Sequence, residues 1–263
     1  MTEIKIGTYT AALAILAAKD VRYGTVFDVG SAEGNFFLQH YVMGVFADST
    51  PVNIDASAIY EQPLSAIKDA LGGHYFIAAA SDMPGEVVIT TSLDPAWASV
   101  RPPSDPYWER LNNVTRGQIR VPAVTLDGLA AEHGLKGPFL IKLDVQGAET
   151  AVLRGARKVL EETHVVIPEA DVDDFHAIHR MLDEAGFLLF DVTTINRMPD
   201  RSLAWFYPVY LNRKLAHLRQ RAFWPGVETE AMIKRQVERR REILDWHAKI
   251  LPAIRSQRGK SSA

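Results

Sequence analysis

Hydrophobic and polar positions change period repeatedly along the chain. Thr25–Val29 is an apolar run of strand length, and Pro51–Asp55, His74–Ala79, Phe139–Asp144 and His164–Ile167 repeat that signature. The segments between them have room for helices, which the pattern predicts over residues 8–19, from Asn35 onward, over 57–71 and after Leu126. A further helix is expected over Asp174–Ala185, with Gly186 as its stop. Phe187–Val192 and Ala204–Leu211 read as a closing antiparallel hairpin, and Glu86–Thr91 and Gln118–Thr125 as two more strands. Strands alternating with helices predict an α/β fold, a mainly parallel seven-stranded sheet with helices on both faces. Beyond Asn212 the pattern changes. Residues 228–251 read as one long helix with Ile233, Val237, Leu244 and Leu251 on a common stripe, followed by a loose tail over Gln257–Ala263. The expected division is a domain at 1–212 and a helical extension at 213–263.

Composition narrows this picture in three ways. Apolar residues make up 47% of 263, ample for a core, yet no run reaches the roughly 18 residues that a membrane-spanning helix needs. Ala11–Ala18 is short and runs into Lys19-Asp20, so it reads as a packed helix and not as a secretion signal. The absence of cysteine excludes disulfides, thiolate catalysis and Cys-ligated metal centres, and agrees with a cytoplasmic location. The net charge of -3 hides an asymmetry: residues 213–263 carry 13 Lys/Arg against 5 Asp/Glu. That basic segment is open to several readings: a solvated face, a phosphate-binding arm, a homo-oligomer surface or a contact with acidic membranes.

The most informative stretch is Asp28-Val29-Gly30-Ser31-Ala32-Glu33-Gly34, a strand end, a glycine turn and a helix start. Its spacing is neither the Gly-x-Gly-x-x-Gly of dinucleotide folds nor a P-loop. A glycine turn at the carboxyl end of a strand lets a ligand approach the backbone closely. The turn resembles the first motif of class I S-adenosylmethionine (SAM) methyltransferases, which makes Asp28, Gly30, Ser31 and Gly34 candidate cofactor contacts. Asp55, 25 residues after Gly30, either accepts hydrogen bonds from ribose hydroxyls or caps the following helix. Ser81-Asp82 either meets an adenine edge or forms a plain turn. The segment from Asp94 to Trp108, rich in Pro and Trp, either covers a substrate or packs on the body.

Two later stretches are more specific. Ile141-Lys142-Leu143-Asp144-Val145-Gln146-Gly147-Ala148-Glu149, with Thr125-Leu126-Asp127 before it and Val152-Leu153-Arg154-Gly155-Ala156 after it, resembles the FkbM family of SAM-dependent methyltransferases. The resemblance spans roughly residues 24–210. It implies a Rossmann-like class I methyltransferase fold with SAM as cofactor. It also implies O-methylation of a hydroxyl on a sugar, glycan or polyketide-type product. The chain departs from the family at Gln146, where a Glu is usual, and at Asp55-Ala56, where Glu-Pro is usual. The basic extension lies outside the family's common region.

Methyl transfer to a hydroxyl needs a proton acceptor within reach. Asp144, Glu149, Glu169 and His176 are the candidates, Asp144 with the competing role of orienting the cofactor. His179 shares a face with His176. No metal is expected: Asp144, Glu169 and Asp171 offer oxygens, but no spacing demands an ion. Lys142 is unusual inside a buried strand. Two rival functions stand beside the enzyme: a catalytically silent SAM-binding interaction module, kept open by Gln146, and a nucleic-acid methyltransferase using the basic arm. Against the latter, an Asn/Asp-Pro-Pro-Tyr type motif is missing from the strand ending at Asp144.

Overall fold

A computed structural model describes residues 5–110, 115–219 and 229–260, without side chains for residue 110 and residues 253–260. Its elements are α1 (Tyr9–Ala17), β1 (Thr25–Val29), α2 (Asn35–Val42), β2 (Thr50–Asp55), α3 (Glu61–Leu71), β3 (His74–Ile77), β4 (Ala79–Ala80), β5 (Gly85–Ser92), α4 (Tyr107–Arg110) and β6 (Thr115–Val124). Then follow α5 (Leu126–Glu132), β7 (Phe139–Leu143), α6 (Glu149–Arg154), α7 (Arg157–Glu161), β8 (Thr163–Pro168), β9 (Ala170–Asp171), α8 (Phe175–Glu184), β10 (Phe187–Thr193), β11 (Trp205–Asn212) and α9 (Thr229–Lys260). Contacts divide the chain into two units, residues 1–219 and 220–263.

In the first unit the main sheet runs β10-β11-β8-β7-β1-β2-β3, with the short β9 added beside β11. The strands from β3 through β8 pair in parallel, and β11 is antiparallel to both its neighbours. The expected hairpin and parallel core are therefore present, with β9 as an eighth strand. Side chains alternate between two cores, as a strand's two-residue period requires. Phe27, Val29, Ile141, Leu143 and Val166 pack on one face with Leu126, Val152 and Ile178. Val26, Leu140, Val165 and Val209 pack on the other with Leu13, Leu16 and Phe37.

Two boundaries differ from the sequence pattern. The run His74–Ala79 does not form one strand. Ile77 ends the pairing with β2, Ala78 donates its N–H to the Asp55 carbonyl at 2.9 Å, and Ala79–Ala80 leaves to pair with β6. This creates a separate three-stranded sheet, β4-β6-β5, which the strand signals at 86–91 and 118–125 leave unplaced. An apolar run carries no mark of where the chain changes partner, so only pairing reveals the split.

In the second unit α9 continues to Lys260, through Pro252 and past the expected end at residue 251. Ile233, Val237, Leu244 and Leu251 are all exposed on it. The last residues of the expected tail, 261–263, lie outside the described residues. Among the described residues no helix is long and apolar enough to cross a membrane.

Candidate active site

A cavity of about 710 Å³ opens at the carboxyl ends of the parallel strands. Such a volume lies within the range of small-molecule and cofactor sites. The chain reverses its direction of sheet growth between β1 and β7, which is where an open α/β sheet forms its crevice.

One end of the cavity is the glycine turn. Gly30 has φ +72°, and a side chain there would overlap the Asp144 carbonyl, so β1 and β7 can leave the sheet side by side only with glycine at this position. Gly34 has φ +77° and opens α2; a Cβ there would run into Ile67. Asp55 closes the turn from β2. Its Oδ2 accepts from the Ala32 N–H at 2.9 Å and its Oδ1 from the Ser57 N–H at 2.9 Å. Asp55 lines the cavity, and burial raises its pKa. Each oxygen keeps a further lone pair, so two neighbouring hydroxyls can still be accepted. Gly30, Ala32 and Ala78–Ala80 complete a small-residue wall at this end.

The other end is a polar floor. Asp144, just past β7, accepts from the Lys142 ammonium at 2.9 Å and from the Tyr207 hydroxyl at 2.9 Å, both on Oδ2. Its Oδ1 accepts from the Gln146 amide at 2.9 Å. The same amide donates to Glu169 Oε2 at 2.7 Å, and Tyr207 lies 3.0 Å from Glu169 Oε1. Burial opposes charge on Asp144, but Lys142, Tyr207 and Gln146 together hold its pKa below the ordinary value. Glu169 is the reverse case: burial, then the charges of Asp144 and Glu149, raise its pKa well above the ordinary value. Glu149 spends both oxygens on the loop before it, accepting from Val145 N–H at 3.1 Å and Gly147 N–H at 3.0 Å. Burial pushes its pKa up to about 7.

The partners of Lys142 explain a lysine inside a buried strand. The alternation of β7 turns it toward the α1 and α2 face, where Asp28 and Asp144 lie at 3.9 and 2.9 Å. Asp28 is fully buried, and burial drives its pKa up to about 7 against the pull of Lys142.

The 93–110 segment closes over the floor, and it both packs and covers. Trp108 is fully buried with its indole N–H on the Pro102 carbonyl at 3.0 Å. Its neighbour Tyr107 donates to Gln146 Oε1 at 2.6 Å, and Ser99 donates to the Gln146 carbonyl. Arg101 pairs with Asp174 and stacks its guanidinium 5.2 Å from the Tyr107 ring centroid. Gln146 itself has φ +51°, so the strap holds an amide whose backbone is already unusual for a non-glycine residue.

Of the residues singled out in sequence, Gly30, Asp55, Asp144, Glu149 and Glu169 line the cavity. Asp28, Ser31 and Gly34 do not; they lie behind the turn and shape it. Ser81 and Asp82 are also away from the lining: Asp82 forms an ion pair with Arg154 at 3.2 Å, which lowers its pKa. His176 is exposed on α8 and outside the lining, while His179 contacts the Tyr210 hydroxyl at 3.1 Å. Sequence reasoning missed Tyr207 and Tyr107, whose only signal was an aromatic residue in a strand or loop. Among the described residues no three His, Cys, Asp or Glu side chains gather in a metal-holding arrangement.

Residues 59–189 match the family described as the methyltransferase FkbM domain. The solved structures similar to this chain include an FkbM methyltransferase from Methylobacillus flagellatus KT, at 17% identity and TM-score 0.42 over 72% of this chain. This chain spans 43% of that protein's length. A precorrin-6y C5,15-methyltransferase from Geobacter metallireducens GS-15 is 8% identical, with TM-score 0.40, over 81% of this chain and 93% of its own. An rRNA methylase from Streptococcus thermophilus is 12% identical, with TM-score 0.41, over 80% and 99%. No curated protein matches in sequence.

Proposed function

We infer that this chain, which carries a methyltransferase FkbM domain over residues 59–189, uses SAM to methylate a hydroxyl on a sugar, glycan or polyketide-type acceptor. The observation that carries the reading is one cavity with two chemically distinct ends. At one end, the Gly30 turn and the Asp55 carboxylate suit a nucleoside: bare backbone for close approach and an acid for ribose hydroxyls. The Ala78–Ala80 wall leaves room for a flat base. Bound there, the cofactor supplies a methyl group on a positively charged sulfur, already activated for transfer.

The floor supplies the proton acceptor. Three donors hold Asp144 and keep its pKa below the ordinary value, which makes it a weak base and a fixed negative charge. Glu149 is committed to its loop. Burial and the charges of Asp144 and Glu149 raise the proton affinity of Glu169 well above that of an ordinary glutamate, which suits it to take a hydroxyl proton. The acceptor's ring can lie against Trp97 and Trp205, which are partly exposed at the lining. Seven lining carboxyls, among them Asp171, Asp173 and Asp174, face one lining guanidinium among the described residues. That balance repels a phosphate backbone and favours a neutral or cationic acceptor over nucleic acid.

The test is transfer of an isotopically labelled methyl group from SAM to a panel of sugar and natural-product alcohols. Asp55→Ala should weaken SAM binding by about 1–3 kcal/mol, the scale of a lost buried partner. Glu169→Gln should retain SAM and lose about 10²–10⁴ in turnover. Undiminished turnover in Glu169→Gln would remove it as the base, and methyl transfer only to nitrogen would remove the hydroxyl assignment.

A further inference from the structure

Tyr207 stands between two carboxyl groups, 2.9 Å from Asp144 Oδ2 and 3.0 Å from Glu169 Oε1. A phenol has one hydrogen and can donate to only one of them. The other carboxyl then meets the phenol's lone pair, which is repulsive unless that carboxyl carries a proton of its own. The remaining donors decide which one does. Asp144 also receives the Lys142 ammonium and one Gln146 N–H, whereas among the described residues Glu169 receives the other Gln146 N–H alone. The consistent arrangement is a chain: Glu169 O–H to Tyr207 oxygen, Tyr207 O–H to the Asp144 carboxylate.

The charges that face Glu169 come from every side of the floor. Asp144 and Glu149 oppose its ionisation and Lys142 assists it, with burial the largest influence of all. Tyr107, on the covering segment, faces the same group and has its own pKa raised by burial and by Glu169. In the ligand-free protein, therefore, the carboxyl best suited to take a hydroxyl proton is already occupied.

We propose that Glu169 holds a proton through the Tyr207–Asp144 chain until a cationic sulfonium enters the cavity, and that this cation expels the proton to solvent and so arms the base only when the methyl donor is present. The step is a simple ionisation: Glu169 carboxylic acid becomes carboxylate and one proton goes to the buffer. A positive charge in a cavity lined by Asp144 and Glu169 favours the ionised form of both. The neutral thioether S-adenosylhomocysteine lacks that charge and leaves the proton in place. The inference rests on the SAM reading above and adds to it an order of events.

Calorimetry tests it without an acceptor. SAM and S-adenosylhomocysteine are each titrated into the full chain near pH 7 in buffers of different ionisation enthalpy, and the slope gives the protons exchanged. SAM should release more than S-adenosylhomocysteine, by on the order of half a proton, and Glu169→Gln should lose that excess while the ligand's own amino group contributes as before. Infrared difference spectra of the wild-type protein provide a second readout that needs no variant. A protonated-carboxyl band should vanish with SAM and persist with S-adenosylhomocysteine. Binding of both ligands with no loss of that band overturns the shared proton and leaves the cofactor reading standing. So does an undiminished excess in Glu169→Gln. Failure of the folded protein to bind either ligand overturns the cofactor reading and this inference with it.

Discussion

Replacing Gln146 with Glu exchanges an amide nitrogen for a carboxyl oxygen and should make stability strongly pH-dependent. The wild-type amide gives one N–H to Asp144 at 2.9 Å and the other to Glu169 at 2.7 Å, while its oxygen accepts from Tyr107 at 2.6 Å. A carboxyl in its place can make at most one of those two donations, and only when protonated. The missing donation to a buried acceptor costs about 1–3 kcal/mol at any pH. Ionising the new carboxyl places a negative charge directly beside the ionised Asp144. Even at an effective dielectric of 20, a like charge near 4 Å costs about 4 kcal/mol. The folded variant therefore holds a proton on the introduced carboxyl well above the ordinary glutamate pKa of about 4.3, and the unfolded chain does not. Such a group stabilises the fold below its unfolded pKa and loses that contribution as pH rises through the folded value. The deficit of Gln146→Glu against wild type should then grow by up to about 1.4 kcal/mol per pH unit above pH ~5. Urea denaturation of both proteins at pH 5, 6, 7 and 8 measures it, with Gln146→Ala as the control that loses the donors without adding charge. Equal midpoints at pH 8, or a deficit that does not change with pH, would refute the bridging role of the amide.

Three further outcomes follow from other parts of the structure. Gly30→Ala forces a Cβ against the Asp144 carbonyl at φ +72°, and the left-handed backbone alone costs about 1–2 kcal/mol; thermal denaturation should show at least that loss. Asp28→Asn removes a buried acid whose pKa is pushed up to about 7. Because the folded value is raised, wild-type stability contains a contribution that is lost between about pH 4 and 7, and the variant's stability should fall less steeply over that window in denaturant titrations. Trp108→Ala empties a fully buried site and frees the covering segment, at a cost of about 3–5 kcal/mol by chemical denaturation; a loss under 1 kcal/mol would show that the segment does not depend on its anchor.

The parallel sheet, the strand–glycine–helix turn and the acids at the strand ends are all legible in the unfolded chain. Each is local: Thr25–Val29 has a strand's composition, Gly30 has no side chain, and Asp55 and Asp144 close their strands wherever those strands lie. The family resemblance is legible too, because the run from Lys142 to Glu149 is contiguous. What each acid does is not. Asp144 and Glu169 belong to the same residue class and both sit at strand ends, yet three donors hold the pKa of one below the ordinary value while burial and neighbouring carboxylates raise that of the other. The difference comes from Lys142 two residues away, Gln146 on the loop, and Tyr207 on an antiparallel strand 63 residues later. Nothing local marks Tyr207, which lies beyond the matched family span. The departure of Ala79–Ala80 from the main sheet is likewise invisible in the pattern, since an apolar run does not name its partner. Proton affinity and strand pairing depend on which groups meet, and only the folded chain brings Lys142, Gln146, Glu169 and Tyr207 around Asp144.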